Sequence, residues 1–237
     1  MRNLPVVTKN LLLANLIVWL LDTVLKKYGI YLAEWFGLMN WSYSSFASQG
    51  PSFHLWQPFT YMFMHAGFDH LFCNMFAVLM FGPALEREWG ERKFLLYYLV
   101  CGLGAALIQE LVWTMFMPGQ MSVTIGASGA VFGILFAFGW LFPDTPLFLL
   151  FIPVPIRARI FVLAYAAIEL FMGIGSFAGD NVAHFAHLGG MLFGWLLILC
   201  WQKGWFKHGI HLASGEREKG ERDFSGYHYH SSVEEEE

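Results

Sequence analysis

Six apolar stretches, each close to the length of a membrane-crossing helix, constrain this chain more than any other feature. They run over roughly 8–25, 67–86, 94–116, 125–142, 160–177 and 183–202, with polar residues marking their limits. A helix that crosses the hydrocarbon core needs about 20 mostly apolar residues. Hydrophobic side chains make up 57% of the 237 residues and charged ones 14%, against about 45–50% and about 25% in soluble domains. Such a chain cannot clothe a water-soluble fold in polar surface. The expectation is an all-α, polytopic membrane protein with a six-transmembrane-helix bundle over 1–203. Between the fourth and fifth stretches, LFLLFIPVPIRAR (147–159) carries two prolines that forbid a continuous helix.

Basic residues orient the spans. Of fourteen Lys and Arg residues, all but Lys26 and Lys27 fall at the N-terminus, in the turns joining spans two to three and four to five, or after span six. Basic flanks stay on the cytoplasmic side, which predicts both termini in the cytoplasm and the loops 28–66, 117–124 and 178–182 outside. From Gly204 the composition changes: GEREKGERDFSG has no apolar periodicity, and 204–237 is expected to be a charged, disordered cytoplasmic tail. No small-residue cleavage site follows the first apolar run, so that run is expected to stay in the membrane. Cys73, Cys101 and Cys200 lie in three different spans; their odd number closes no disulfide framework, and they are read as packing residues.

Strongly polar side chains are costly inside a bilayer and mark function by default. Here they are His70 and Asn74 in the second span, Gln109 and Glu110 in the third, Ser128 in the fourth, Glu169 in the fifth, and His184 and His187 in the sixth. With the orientation above, His70, Asn74, Ser128 and His187 share the outer half of the membrane. Ser128 opens its span within TIGASGAVFG, flanked by Gly126 and Gly129. Glycines leave the backbone open to close approach, and a helix N-terminus offers unpaired N–H groups to a negative oxygen. Small residues also recur at ordinary helix contacts in membranes. His187 lies in AHFAHLGGMLFG, where Gly190 and Gly194 continue its face and let another helix come close. His184, one turn earlier, is an equal candidate by spacing. His70 and Asn74, four apart, share a face and suit either an oxyanion or a clasp between helices.

LWQPFTYMFMHAGFDHLFCNM, FGPALEREWGERKF, GASGAVFG and AHLGGMLFG follow one another along the chain, the first carrying His65, His70 and Asn74 in an H-x-x-x-x-H-x-x-x-N spacing. Together, from about Asn15 to about Trp201, these segments resemble the rhomboid family of intramembrane serine proteases. The resemblance implies Ser128 as nucleophile and His187, not His184, as base, because the family's histidine is followed by glycines at +3 and +7. It also implies an oxyanion hole of Asn74, His70 and the Ser128 backbone N–H. Phe132, one turn past Ser128, stands where the family often has a tyrosine packed on the histidine, so ring packing is expected without the hydroxyl. No Asp or Glu lies near either residue within the motifs, which points to a dyad.

The activity expected from the resemblance is that of an intramembrane serine endopeptidase cutting transmembrane segments of other membrane proteins. No cofactor and no metal is expected; the partners are the lipid bilayer and transmembrane substrates, and nucleic acid is not among them. A bacterial-type inner membrane is the expected location, with the site opening to the outer side. One alternative is a catalytically silent rhomboid relative that binds clients, against which the intact Ser128 and His187 weigh. A second is a proton path through Glu110, Glu169 and the histidines. A metalloprotease using His65, His70, His184 and His187 would lack the HExxH signature.

Overall fold

The computed structural model describes residues 4–44, 51–149, 152–175 and 183–203. The expected tail 204–237 and the loop 178–182 lie outside the described residues. Among the described residues the long helices of the bundle are α1 (Val6–Lys26), α2 (Phe68–Trp89), α3 (Glu91–Phe116), α4 (Ser128–Leu141), α5 (Ala158–Gly175) and α6 (His184–Gln202). Two small antiparallel pairings accompany them, β1 (Leu38–Met39) with β2 (Val123–Thr124) and β3 (Pro146–Leu149) with β4 (Ile152–Arg157). The second of these is what the Pro-Val-Pro segment forms in place of helix.

The expectation of six full spans needs a correction at the fourth. Among the described residues five helices are long and apolar enough to cross a membrane, and α4 is the shorter one. Its 14 residues reach about 21 Å at a rise of about 1.5 Å each, against about 30 Å of hydrocarbon. Two backbone features truncate it. Gly126 has φ +125°, outside any right-handed helix, and Pro143 disfavours helical geometry at Phe142. Most of α4 is buried among its neighbours, so this helix stops short inside the bundle, and Ser128 is its first residue.

Glycines set how closely the helices approach. Without a hydrophobic drive between helices in lipid, small residues that let backbones touch give the packing energy. A Cβ on Gly190 of α6 would lie 1.8 Å from the Gly129 carbonyl oxygen of α4, and one on Gly133 would lie 2.4 Å from Cys101 Sγ of α3. Gly194 leaves room for the Tyr97 hydroxyl, which donates to the Gly133 carbonyl at 2.9 Å. Gly189 likewise rests on Ala105 and Ile108 of α3. α3, α4 and α6 are thereby locked at backbone distance. Of the three cysteines, Cys101 is buried in this contact, whereas Cys73 is exposed on α2.

At the opposite end of the bundle from Ser128, α1 begins on Pro5 with no side-chain cap of its own. Glu86, in the last turn of α2, supplies one from across the bundle: its carboxylate accepts from Val7 N–H at 2.8 Å, Thr8 N–H at 2.7 Å and the Thr8 hydroxyl at 2.7 Å. The negative charge meets the positive end of the α1 dipole. Glu86→Ala strands three buried donors, and a fall in stability of about 1–3 kcal/mol is expected in micelle unfolding. Glu86→Gln, keeping one acceptor oxygen, is expected to lose less.

Between α1 and α2, buried polar side chains hold several of the described turns. Gln57 Oε1 accepts from the N–H groups of Met39 and His54, both at 3.2 Å, while its Nε2 donates to the carbonyls of Trp35 and Ser52. Glu110 of α3 accepts the Trp41 N–H at 3.0 Å. Glu110 therefore has a structural partner here.

Candidate active site

Ser128 opens α4, so its N–H lies ahead of the intrahelical ladder and points out of the helix end. The turn before it requires glycine twice over. Besides its positive φ, Gly126 leaves room for the His70 ring: a Cβ there would sit 2.6 Å from His70 Nε2. The preceding loop is tied down by His65, whose Nε2 accepts the Ala127 N–H at 3.5 Å. Burial, with nearby His70 adding to it, pushes the His65 pKa down to about 4, which keeps that ring a neutral acceptor near pH 7.

Because Gly129 and Gly190 bring α4 and α6 into backbone contact, the side chains just before them on the two helices meet. Ser128 Oγ lies 2.8 Å from His187 Nε2. Phe132 stacks on the His187 ring with centroids 4.1 Å apart and planes 8° from parallel, and Tyr165 of α5 covers the other face of Phe132 at 4.9 Å. His187 itself is 7% exposed, which shields it from bulk water.

His184 does not join Ser128. Its Nδ1 lies 2.7 Å from Glu169 Oε2, and the same oxygen lies 2.8 Å from His187 Nδ1. The reading of a site with no carboxylate therefore needs correction. Glu169 was legible as an acid inside the fifth span, but it is 18 residues from His187 on another helix, and no local motif joins them. Glu169, His184 and His187 also present three ligand atoms within 4.8 Å of one another, a spacing that would suit a cation. In the observed arrangement these atoms serve each other as hydrogen-bond partners.

His70 Nδ1 accepts the Ala66 N–H at 3.5 Å, so the ring proton sits on Nε2, the nitrogen beside Gly126. Asn74 is buried, and one N–H of its amide donates to the His70 carbonyl at 2.8 Å. His70 thus stands against the turn that carries Ser128, while the observed bond of Asn74 turns back along its own helix.

Residues 52–203 match the Rhomboid domain family. The chain is 34% identical over 192 residues to Rhomboid-like protein 11, chloroplastic, of Arabidopsis thaliana, covering 78% of this chain and 65% of that one. It is 33% identical over 160 residues to RHOMBOID-like protein 6, mitochondrial, of the same plant, with 63% and 46% covered. With Rhomboid protein 1, mitochondrial, of Saccharomyces cerevisiae (strain ATCC 204508 / S288c) it shares 32% identity over 139 residues, 57% of this chain and 40% of that one. The matches thus span less than two thirds of these relatives' own lengths. A domain match over more than half the chain, on a bundle of membrane-length helices, establishes that this protein belongs to the rhomboid family.

Proposed function

We propose that this chain is an intramembrane serine endopeptidase that hydrolyses transmembrane segments of other membrane proteins, with Ser128 as nucleophile and His187 as base. The observation that carries the reading is the 2.8 Å contact between Ser128 Oγ and His187 Nε2 at the start of a helix too short to cross the bilayer. A serine hydroxyl is a weak nucleophile until a base within hydrogen-bond reach takes its proton.

Attack of Ser128 Oγ on a peptide carbonyl transfers the hydroxyl proton to His187 Nε2 and puts negative charge on the carbonyl oxygen. The Ser128 N–H and the His70 Nε2–H are the donors for that oxyanion, with Asn74 a third if its side chain turns toward the site. Collapse breaks the C–N bond, and His187 returns the proton to the leaving amine. Water, giving a proton to His187, then attacks the acyl carbon; the bond to Ser128 Oγ breaks, and His187 returns that proton to Oγ. The Phe132 ring holds the imidazole in plane through this cycle. No cofactor is needed.

The distribution of basic residues supports an orientation with both termini in the cytoplasm and the site opening to the outer face of a bacterial-type inner membrane. Substrate segments with helix-weakening residues and a small residue before the cut are preferred, because a regular helix hides its peptide bonds. The test uses purified protein in detergent, a single-span substrate and a fluorophosphonate probe. Labelling and cleavage by the wild type, both lost in Ser128→Ala and unaffected by a chelator, are the expected result. Cleavage that persists in Ser128→Ala sinks the proposal.

A further inference from the structure

Glu169 is an acid in an unlikely place. α5 faces outward along most of its length, with Leu163, Phe171 and Ile174 exposed by 69%, 67% and 70%, and its buried residues are Ala158, Val162 and Glu169. A carboxylate carried into lipid depth is costly unless its oxygens find donors. Glu169 finds two on one oxygen, the Nδ1 atoms of His187 and His184.

The tautomer of His187 follows from the same contacts. To accept the Ser128 hydroxyl proton, Nε2 must be bare, so the ring proton sits on Nδ1 and needs an acceptor. Glu169 Oε2 is that acceptor at 2.8 Å. With the Nδ1–H held there, the ring cannot flip or exchange tautomers without losing a buried hydrogen bond. The charge of the carboxylate also favours the imidazolium that forms when Ser128 attacks. His184, whose ring stands at 86° to that of His187, donates to the same oxygen from one turn away and fixes the carboxylate.

We propose that Glu169 is the positioning residue of the base, so that the hydrolytic unit is Ser128, His187 and Glu169, with His184 anchoring the carboxylate. This rests on the protease reading above. Glu169 takes no proton in the cycle; the proton from Ser128 travels on His187 Nε2 to the leaving amine.

The experiment measures kcat and KM separately for the full chain in micelles with a single-span substrate. Glu169→Gln is expected to lower kcat by at least about 30-fold, with KM and the thermal midpoint near wild type. Glu169→Asp recovers part of that loss, and His184→Gln lowers kcat by a smaller factor, about 3- to 10-fold. A Glu169→Gln enzyme with kcat within about threefold of wild type overturns the proposal, as does a loss confined to KM or to thermal stability. Should that variant fail to fold, the imidazole ¹⁵N spectrum of the wild type decides, using signals that disappear in His187→Ala. A proton on Nδ1 supports the assignment, and a proton on Nε2 overturns it. Fluorophosphonate labelling keeps the two readings apart: an unlabelled, inactive wild type refutes the protease itself, whereas a labelled, active Glu169→Gln refutes only the role of Glu169.

Discussion

Alanine at Ser128 and alanine at His187 are each expected to lower kcat by roughly 10⁴- to 10⁶-fold, and the double substitution to lower it no further. In the proposed mechanism the two residues act as one device. Once the nucleophile is gone, the base has no proton to take, and once the base is gone, the hydroxyl stays protonated at 2.8 Å from nothing that can accept. On that mechanism, what survives is the catalysis that the oxyanion donors and substrate positioning provide on their own, roughly 10³- to 10⁴-fold over water in serine proteases. Single-turnover cleavage in micelles, with protein in excess over a fluorescent single-span substrate, reads losses of this size. If the effects of the two substitutions multiplied, Ser128 and His187 would be acting in separate steps.

The bundle was legible because lipid imposes a simple rule. A segment that spans must satisfy its own backbone and show apolar side chains, so helices and their limits follow from composition and polar flanks. α6, expected over 183–202, runs from His184 to Gln202. The exception is α4, where the apolar run 125–142 extends beyond the helix that it forms. Apolar character says nothing about φ, and it is Gly126 at +125° that delays the helix to Ser128.

The candidate site was legible in part for a related reason. Ser128 and His187 each sit beside glycines, and a glycine stripe is visible in sequence because it repeats along one helix face. Phe132, a single turn from Ser128, shares a motif with it, and its ring stacks on His187. Glu169 has a glycine one turn on, Gly173, which rests on Phe185 and His184 of α6, but it shares no motif with His187. Its partners come from α6, and much of its own helix is exposed, so the clue was an acid where acids are costly. The resemblance pointed to His187 rather than His184, but spacing alone did not separate them. Spacing puts both on one face, and it is depth along α6 that sends His187 to both Ser128 and Glu169 but leaves His184 with Glu169.

Gly190→Ala is expected to cost at least about 100-fold in cleavage without touching either reacting group. The added Cβ would lie 1.8 Å from the Gly129 carbonyl oxygen, and ordinary contact begins at 3.4 Å. The obstacle is backbone rather than a flexible side chain, so relief comes only from moving α6 away from α4. That same contact sets the Ser128 to His187 distance, and a proton transfer across 2.8 Å does not survive a retreat of this size. Leu192→Ala on the same helix is the control, since Leu192 is 41% exposed. Helical circular dichroism close to wild type, together with lost fluorophosphonate labelling, would locate the damage in the Ser128–His187 distance rather than in folding. Gly190→Ala with cleavage at the level of Leu192→Ala would mean that the α4–α6 approach is not what brings the two side chains together.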